Sequence, residues 1–340
     1  MHILVGTTGA DLLNGDLKDS NSIWGLAGDD TLTGGQLFDQ MHGSKSNDII
    51  TGGGGDDMIW GDTGNDTLLG GTGSDLLSGG EGNDTISGGK GGDALHGGKG
   101  DDLVHGNNGD DVVLGASGSD TLWGDAGNDT LNGGSGHDLV DGGSGDDVLI
   151  VSSGGDSYDG GAGIDTLDLR GMLGPVTLDL SHHGVLTGSG NHPVSNSITS
   201  IERVIGNDAG DKLHGNSLAN ELIGGAGVDI LRGGAGADTL TGGGGNDTFV
   251  FLKLDTAGGA DTITDFTVGT DKLDLSDFLK GHASAAGALR LVETSDHAGV
   301  MVQGMVHHAW TDVALLAGFS LSDVGADHHA MTLADLGLVA

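Results

Sequence analysis

The chain has 340 residues, 72 of them glycine, with 3% aromatic residues and no cysteine, and its 50 acidic against 12 basic residues leave a formal net charge of −38. That balance excludes nucleic acid and an anionic membrane surface as partners, since both demand positive charge, and points to a cation instead. The lack of cysteine excludes a disulfide framework and a thiolate metal site, and no run reaches the ~18 apolar residues that would span a bilayer.

The N-terminal run His2-Ile3-Leu4-Val5-Gly6 lacks the basic region and long apolar core of a secretory signal peptide, so an export address is expected elsewhere. Residues 6–14 fit a nine-residue unit carrying Asp11 and Leu13, and 15–24 hold ten residues. Residues 1–24 are therefore predicted to be capping repeats, which are usually atypical.

From 25 to 168 the chain keeps a nine-residue period without insertion or deletion, giving 16 copies of G-G-x-G-x-D-x-U-x with U apolar. Position six is aspartate in every copy: Asp30, Asp39, Asp48, Asp57, Asp66, Asp75, Asp84, Asp93, Asp102, Asp111, Asp120, Asp129, Asp138, Asp147, Asp156 and Asp165. Position eight is apolar or aromatic throughout, from Leu32 to Tyr158 and Leu167. Position one is glycine except at Val151, and position four is glycine except at Leu37 and Ser46. Glycine permits the positive φ of a tight turn and lets carbonyl oxygens converge, because no Cβ intervenes. Aspartate supplies the hard oxygen that Ca²⁺ prefers. Positions seven to nine predict a short strand, with eight pointing inward and its neighbours outward. Two repeats then complete one coil, repeats i and i+2 stack, and the block is predicted to be a parallel β-roll.

Repeats of one parity carry apolar outward residues: Met58, Leu76, Ala94, Val112 and Val148 at position seven, with Trp60, Leu114 and Ile150 at nine. The opposite parity shows mainly Thr31, Thr67, Thr85, Thr121 and Ser157 at seven, with Trp123 at nine. The first face is expected to be covered by the C-terminal region, a second roll or a partner.

Residues 169–205 interrupt the period and read as a spacer. Val176-Thr177-Leu178-Asp179-Leu180 alternates as a strand does, and Ser200-Ile201-Glu202-Arg203-Val204-Ile205 is a second candidate strand. The period resumes over 206–250 with five copies, predicting a second short roll. Asp211, Asp229, Asp238 and Asp247 hold position six, and Asn220 replaces it once. The first two of these copies have Ala209 and Leu218 at position four, which puts their metal sites in question. Residues 251–340 are predicted to form a β-rich module, from Phe251 through the 259–266 and 269–278 segments to an Ala-, Leu- and Val-rich tail ending Leu338-Val339-Ala340.

The nonapeptides resemble those of the RTX (repeats-in-toxin, hemolysin-type calcium-binding) family. The resemblance implies an all-β parallel β-roll in two blocks that binds several Ca²⁺ ions between stacked turns. It implies as ligands the position-six aspartates of both blocks, Asp11 included, with backbone carbonyls of the turn glycines. The 206–280 region resembles the C-terminal module of serralysin-type secreted metalloproteases. That likeness implies an uncleaved signal in the tail, the type I secretion machinery as an export partner, and an extracellular protein of a Gram-negative bacterium. Extracellular polysaccharide, through the Trp60 and Trp123 faces, or a host surface is a further expected partner.

Calcium is expected to be required for folding. Each repeat buries about one side chain, worth ~1.5–3 kcal/mol, while ordering nine residues costs roughly 9–18 kcal/mol of backbone entropy. About one Ca²⁺ per repeat would supply on the order of 30–40 positive charges, close to the chain's own excess. No enzyme is expected: neither a His-Glu-x-x-His helix nor a Gly-x-Ser-x-Gly elbow occurs. The pairs His182-His183, His307-His308 and His328-His329 read as solvated loop or tail residues. The expected roles are a stand-alone calcium-binding protein, an adhesive or matrix module, or the non-catalytic part of a secreted hydrolase.

Overall fold

The nine-residue period becomes an eighteen-residue ladder. In the computed structural model, residues 1–181, 184–188, 197–280, 288–295, 299–306 and 309–318 are described, and they are almost wholly β-strand and turn. The three histidine pairs include no described residue in the first two and lie, with the 319–340 tail, outside those segments. The chain divides into two units, Met1–Leu167 with His192–Ile201, and Asp168–Asn191 with Glu202–Ala340.

In the first unit, successive strands alternate between two parallel sheets. Met58–Thr63 pairs with Leu76–Glu81 on one sheet, and Thr67–Thr72 pairs with Thr85–Lys90 on the other. The partners Ile59↔Leu77 and Leu68↔Ile86 are two repeats apart. At the N-terminal end the step is one residue longer, Leu13↔Leu32, because of the ten-residue unit read in the sequence. Strands are six residues long rather than three, since the ladder continues through the turn, with Gly71↔Gly89 and Thr72↔Lys90 in register. Two residues per turn take positive φ to allow this, as at Gly71 (116°) and Gly73 (130°). A Cβ at Gly73 would overlap the carbonyl of Gly55 one coil earlier, so only glycine fits there. Position two is less strict: Leu26, Asp62, Asn107 and Asp125 all hold positive φ despite their side chains.

Position eight forms the core as a single file from each sheet: Ile59, Leu68, Leu77 and Ile86 are all fully buried. Each coil therefore buries only two such side chains, a small hydrophobic gain for eighteen residues. The outward apolar residues are not confined to one face. Met58, Leu76 and Val112 are exposed on one sheet, but Ile49, Leu69, Leu103 and Leu139 are exposed on the other, at up to 50%. The single apolar stripe expected from parity is thus corrected: both faces carry exposed apolar residues.

The second unit has its own parallel ladders. Val176–Asp179, read as part of a spacer, lies in register with Lys212–His214, followed by Ile230–Arg232, Thr248–Val250 and Lys272–Asp274. The candidate strand at 200–205 is shorter than expected, Arg203–Ile205, because Ser200 turns the chain with φ 55°. Arg203–Ile205 pairs with Glu221–Gly225, then Thr239–Gly243, Asp261–Ile263 and Ala309–Ala317. Leu289–Glu293 and Gly299–Val306 complete an antiparallel hairpin arrangement on Ala309–Ala317. A short helix, Ser276–Leu279, buries Phe278, whose ring occupies the space a side chain at Gly304 would need. Among the described residues no helix is long and apolar enough to cross a membrane.

Candidate metal centre

Each position-six aspartate divides its carboxylate between two tasks. One oxygen, Oδ1, accepts the backbone N–H of the aspartate one coil earlier: Asp48 donates to Asp66 at 2.7 Å, and Asp66 to Asp84 at 2.8 Å. The backbone carbonyl of the same residue accepts from position seven of the next coil, as Thr67 N–H to Asp48 O at 2.8 Å. The ladder therefore draws all these side chains into the interior, and Asp48, Asp57, Asp66 and Asp84 are each 1% exposed.

The other oxygen, Oδ2, turns into the loop. It is buried with no hydrogen-bond partner among the described residues at Asp30, Asp48, Asp57, Asp66, Asp75, Asp84, Asp93, Asp102, Asp111, Asp120, Asp129, Asp138, Asp147, Asp229 and Asp238. An isolated buried carboxylate oxygen is unfavourable by several kcal/mol, so such a row calls for a cation. The glycine at position one explains the shape of the cradle. A Cβ on Gly61 would strike both Oδ2 of Asp66 and the carbonyl oxygen of Gly79 in the next coil, and Gly70 repeats this with Asp75 and Gly88. A carboxylate oxygen and a stacked-turn carbonyl thus converge where a side chain is missing. Hard oxygen donors in a flexible glycine turn suit Ca²⁺, and the turn contributes no thiolate. The residues present fit the ion that the sequence implied.

Electrostatics agree. Burial, reinforced by neighbouring carboxylates, pushes Asp57, Asp66, Asp102 and Asp111 up to about 7. The same causes push Asp48, Asp93, Asp138, Asp147 and Asp229 up to about 6. Backbone N–H donors offset only part of the rise.

Other predicted ligands sit differently. Oδ2 of Asp39 accepts the N–H of Gly35 at 2.5 Å, that of Asp11 accepts Thr7 N–H at 2.6 Å, and that of Asp211 accepts Asn207 N–H at 2.8 Å. Asn220 does the same through Oδ1, from Asn216 N–H. In all four the residue at position two lacks the positive φ seen at Gly53 or Gly71, so its N–H points at the carboxyl or amide oxygen. In the 151–156 turn, Tyr158 Oη at 3.0 Å and Ser152 Oγ at 3.3 Å donate to Asp156 Oδ2. Asp165 and Asp247 keep the ladder role, accepting the N–H of Asp147 and Asp229 at 2.9 Å.

Two aspartates escaped the sequence reading. Asp238 N–H donates to Asp261 Oδ1 at 3.0 Å, and Asp247 N–H to Asp271 Oδ1 at 3.1 Å. Both are buried, and burial pushes Asp261 up to about 8, with Asp238 adding to it. Their signal was present: glycine lies two residues before each (Gly259, Gly269) and an apolar residue two after (Ile263, Leu273). Insertions of five and six residues hid the period, since the coils here step by 23 and 24 residues.

The tryptophan faces expected to meet polysaccharide are partly occupied. His42 lies between Trp24 and Trp60 at 4.1 and 4.5 Å, and His105 stacks on Trp123 at 4.3 Å. Asp62 and Asp125 hold the two histidine Nδ1 atoms at 3.2 and 2.9 Å.

Asp66→Ala is expected to remove about one bound calcium and lower the affinity of the neighbouring turns. Asp39→Ala should leave the calcium count unchanged, because Gly35 already occupies that oxygen. Calcium stoichiometry by titration calorimetry distinguishes them; equal losses in both variants would contradict the assignment.

A family model described as the RTX calcium-binding nonapeptide repeat (4 copies) matches residues 37–68, 60–95, 69–104, 87–122, 105–140, 114–149, 133–167 and 214–249. Among solved structures, the chain is similar to the solution structure of the AlgE6R3 subunit from the Azotobacter vinelandii mannuronan C5-epimerase. The identity is 29%, over 40% of this chain and 89% of that one, with a TM-score of 0.23. No curated protein sequence matches the chain.

Proposed function

The chain is a calcium-binding RTX repeat protein, its nonapeptides matching over 37–167 and 214–249, and from that premise we propose that calcium is the ligand that drives it to fold outside the cell after export through a type I secretion machinery. The observation that carries the reading is the row of buried Oδ2 atoms without a protein partner. Calcium, when bound, supplies the positive charge that lets these carboxylates stay ionised in the interior. The Asp66-type turns would hold it, with the carbonyls stacked beside them. The chain's own groups do the rest: Oδ1 fixes the spacing of successive coils, and glycine keeps the cradle open.

The Asp11, Asp39, Asp156, Asp211 and Asn220 turns close themselves with protein donors and are proposed to stay metal-free. They lie near the ends of the two repeat blocks. Low cytosolic calcium would leave the chain unfolded and threadable, and calcium outside binds the folded form and draws folding forward by mass action. The role served is that of a non-catalytic calcium-folded module, placed outside a Gram-negative cell.

Export is tested by following secreted and retained protein as external calcium is varied in a host carrying a type I system. The secreted yield should fall at least severalfold when calcium is chelated outside. Removing residues 319–340 should abolish export while leaving calcium-induced folding of the purified chain intact. An export yield indifferent to both changes would overturn the secretion half of the reading without touching calcium binding.

A further inference from the structure

The second unit carries a cleft that the calcium rows do not use. Two adjoining hollows of about 280 and 300 Å³ lie over the outer face of the Val176–Asp179, Lys212–His214 and Ile230–Arg232 strands. Each is near the ~300 Å³ lower end of small-molecule sites. His214 and Arg232 line both hollows, so the two meet at that pair. One hollow has an apolar wall of Ile230 and Val250 beside Lys212; the other is polar, with Asn216 and Asp255.

The polar groups are held in place. Asp255 takes Nε and Nη2 of Arg232 at 3.0 and 2.8 Å, which leaves the remaining guanidinium edge to face a ligand. Asp179 Oδ1 lies 3.2 Å from Nδ1 of His214, which leaves Nε2 as an acceptor. Asn216 uses its Oδ1 on the N–H of Leu218 at 2.8 Å, which leaves its amide donors. Lys212 adds an ammonium. The anchoring carboxylates are thus turned to Arg232 and His214, and what remains is donors on Arg232, Lys212 and Asn216 with one acceptor, Nε2 of His214. In a chain of net charge −38 with only 12 Lys and Arg, two of them stand together in this one cleft.

We propose that this cleft binds a carboxylate-bearing sugar unit, its acid oxygens on Arg232 and Lys212, a hydroxyl group donating to Nε2 of His214, and its apolar ring face on Ile230 and Val250. A pyranose acid offers both kinds of surface: acceptor oxygens around its rim and C–H groups across one face. A flat aromatic or purely aliphatic ligand would leave the donors unpaired, at a desolvation penalty.

The test uses the calcium-loaded full chain and titration calorimetry with tetragalacturonate and with its methyl ester. Tetragalacturonate is expected to bind at least tenfold more tightly than the ester. Lys212→Glu and Ile230→Glu, both at exposed positions, should each weaken it tenfold or more while leaving the calcium-induced circular dichroism unchanged. Acidic sugar bridged by ions on the calcium rows would bind the two variants as well as the parent, and that result would overturn the proposal. Equal affinity for acid and ester, or no binding by the folded parent, would overturn it too.

Discussion

Chelating calcium at pH 8 is expected to remove most of the β-sheet circular dichroism and to enlarge the chain's hydrodynamic radius roughly two- to threefold. The reason lies in the spacing of the rows. Successive position-six carboxylates share a hydrogen-bonded ladder, as from Asp48 through Asp66 to Asp84, so they recur at about the ~4.8 Å strand spacing. Two unit charges that close repel by about 3 kcal/mol at an effective dielectric of about 20. That repulsion is as large as the burial of one aliphatic side chain, ~1.5–3 kcal/mol, and each coil buries only two. The entropy of ordering eighteen glycine-rich residues then decides against the ion-free fold. Restoring calcium should bring back sheet signal and compact size together, in one steep transition. Sedimentation velocity and circular dichroism on the same samples provide the check; an ion-free chain that stays compact and sheet-rich refutes the claim.

Without calcium, acid should partly do what the ion does. Burial raises Asp57, Asp66, Asp102 and Asp111 to about 7 in the fold, from the ordinary value of 3.8. The folded state therefore holds more protons than the unfolded state between those values. Below about 4 the carboxyls are protonated in both states and carry no penalty. As pH rises through 6 to 7 the folded rows ionise and that stability is lost. Ion-free protein is thus expected to gain sheet signal as pH falls from 8 towards 5. Calcium-loaded protein should show the opposite slope, since protons compete with the ion for the same oxygens. Circular dichroism against pH, with and without calcium, reads both slopes. Two profiles running in the same direction would contradict the assignment of the Oδ2 rows as the ion sites.

The divide between legible and hidden runs through single turns. Asp39 and Asp57 occupy the same position of the same motif, yet Asp39 Oδ2 is closed by Gly35 N–H and Asp57 Oδ2 is not. The difference is the φ of the residue at position two, positive at Gly53 and not at Gly35. A glycine permits either conformation, so its letter alone does not choose. Asp156 is a milder case: Val151 breaks the motif visibly, but the donation from Tyr158 Oη appears only once the core side chain folds back under its own turn. Asp261 and Asp271 were missed for a different reason. A ladder needs only N–H and C=O groups facing each other across coils, and residues inserted in a turn leave it intact.

By itself, the sequence determined the repeat, the inward file of apolar residues, the aspartate rows and the ion they suit, because a strict nine-residue period ties each residue type to one place in the coil. Only the tertiary structure decided which carboxylates keep an oxygen without a protein donor, which spacer residues join a ladder, and where the Arg232 and His214 side chains meet. Those outcomes depend on backbone torsions and on contacts between coils eighteen or more residues apart, which no local pattern of letters encodes.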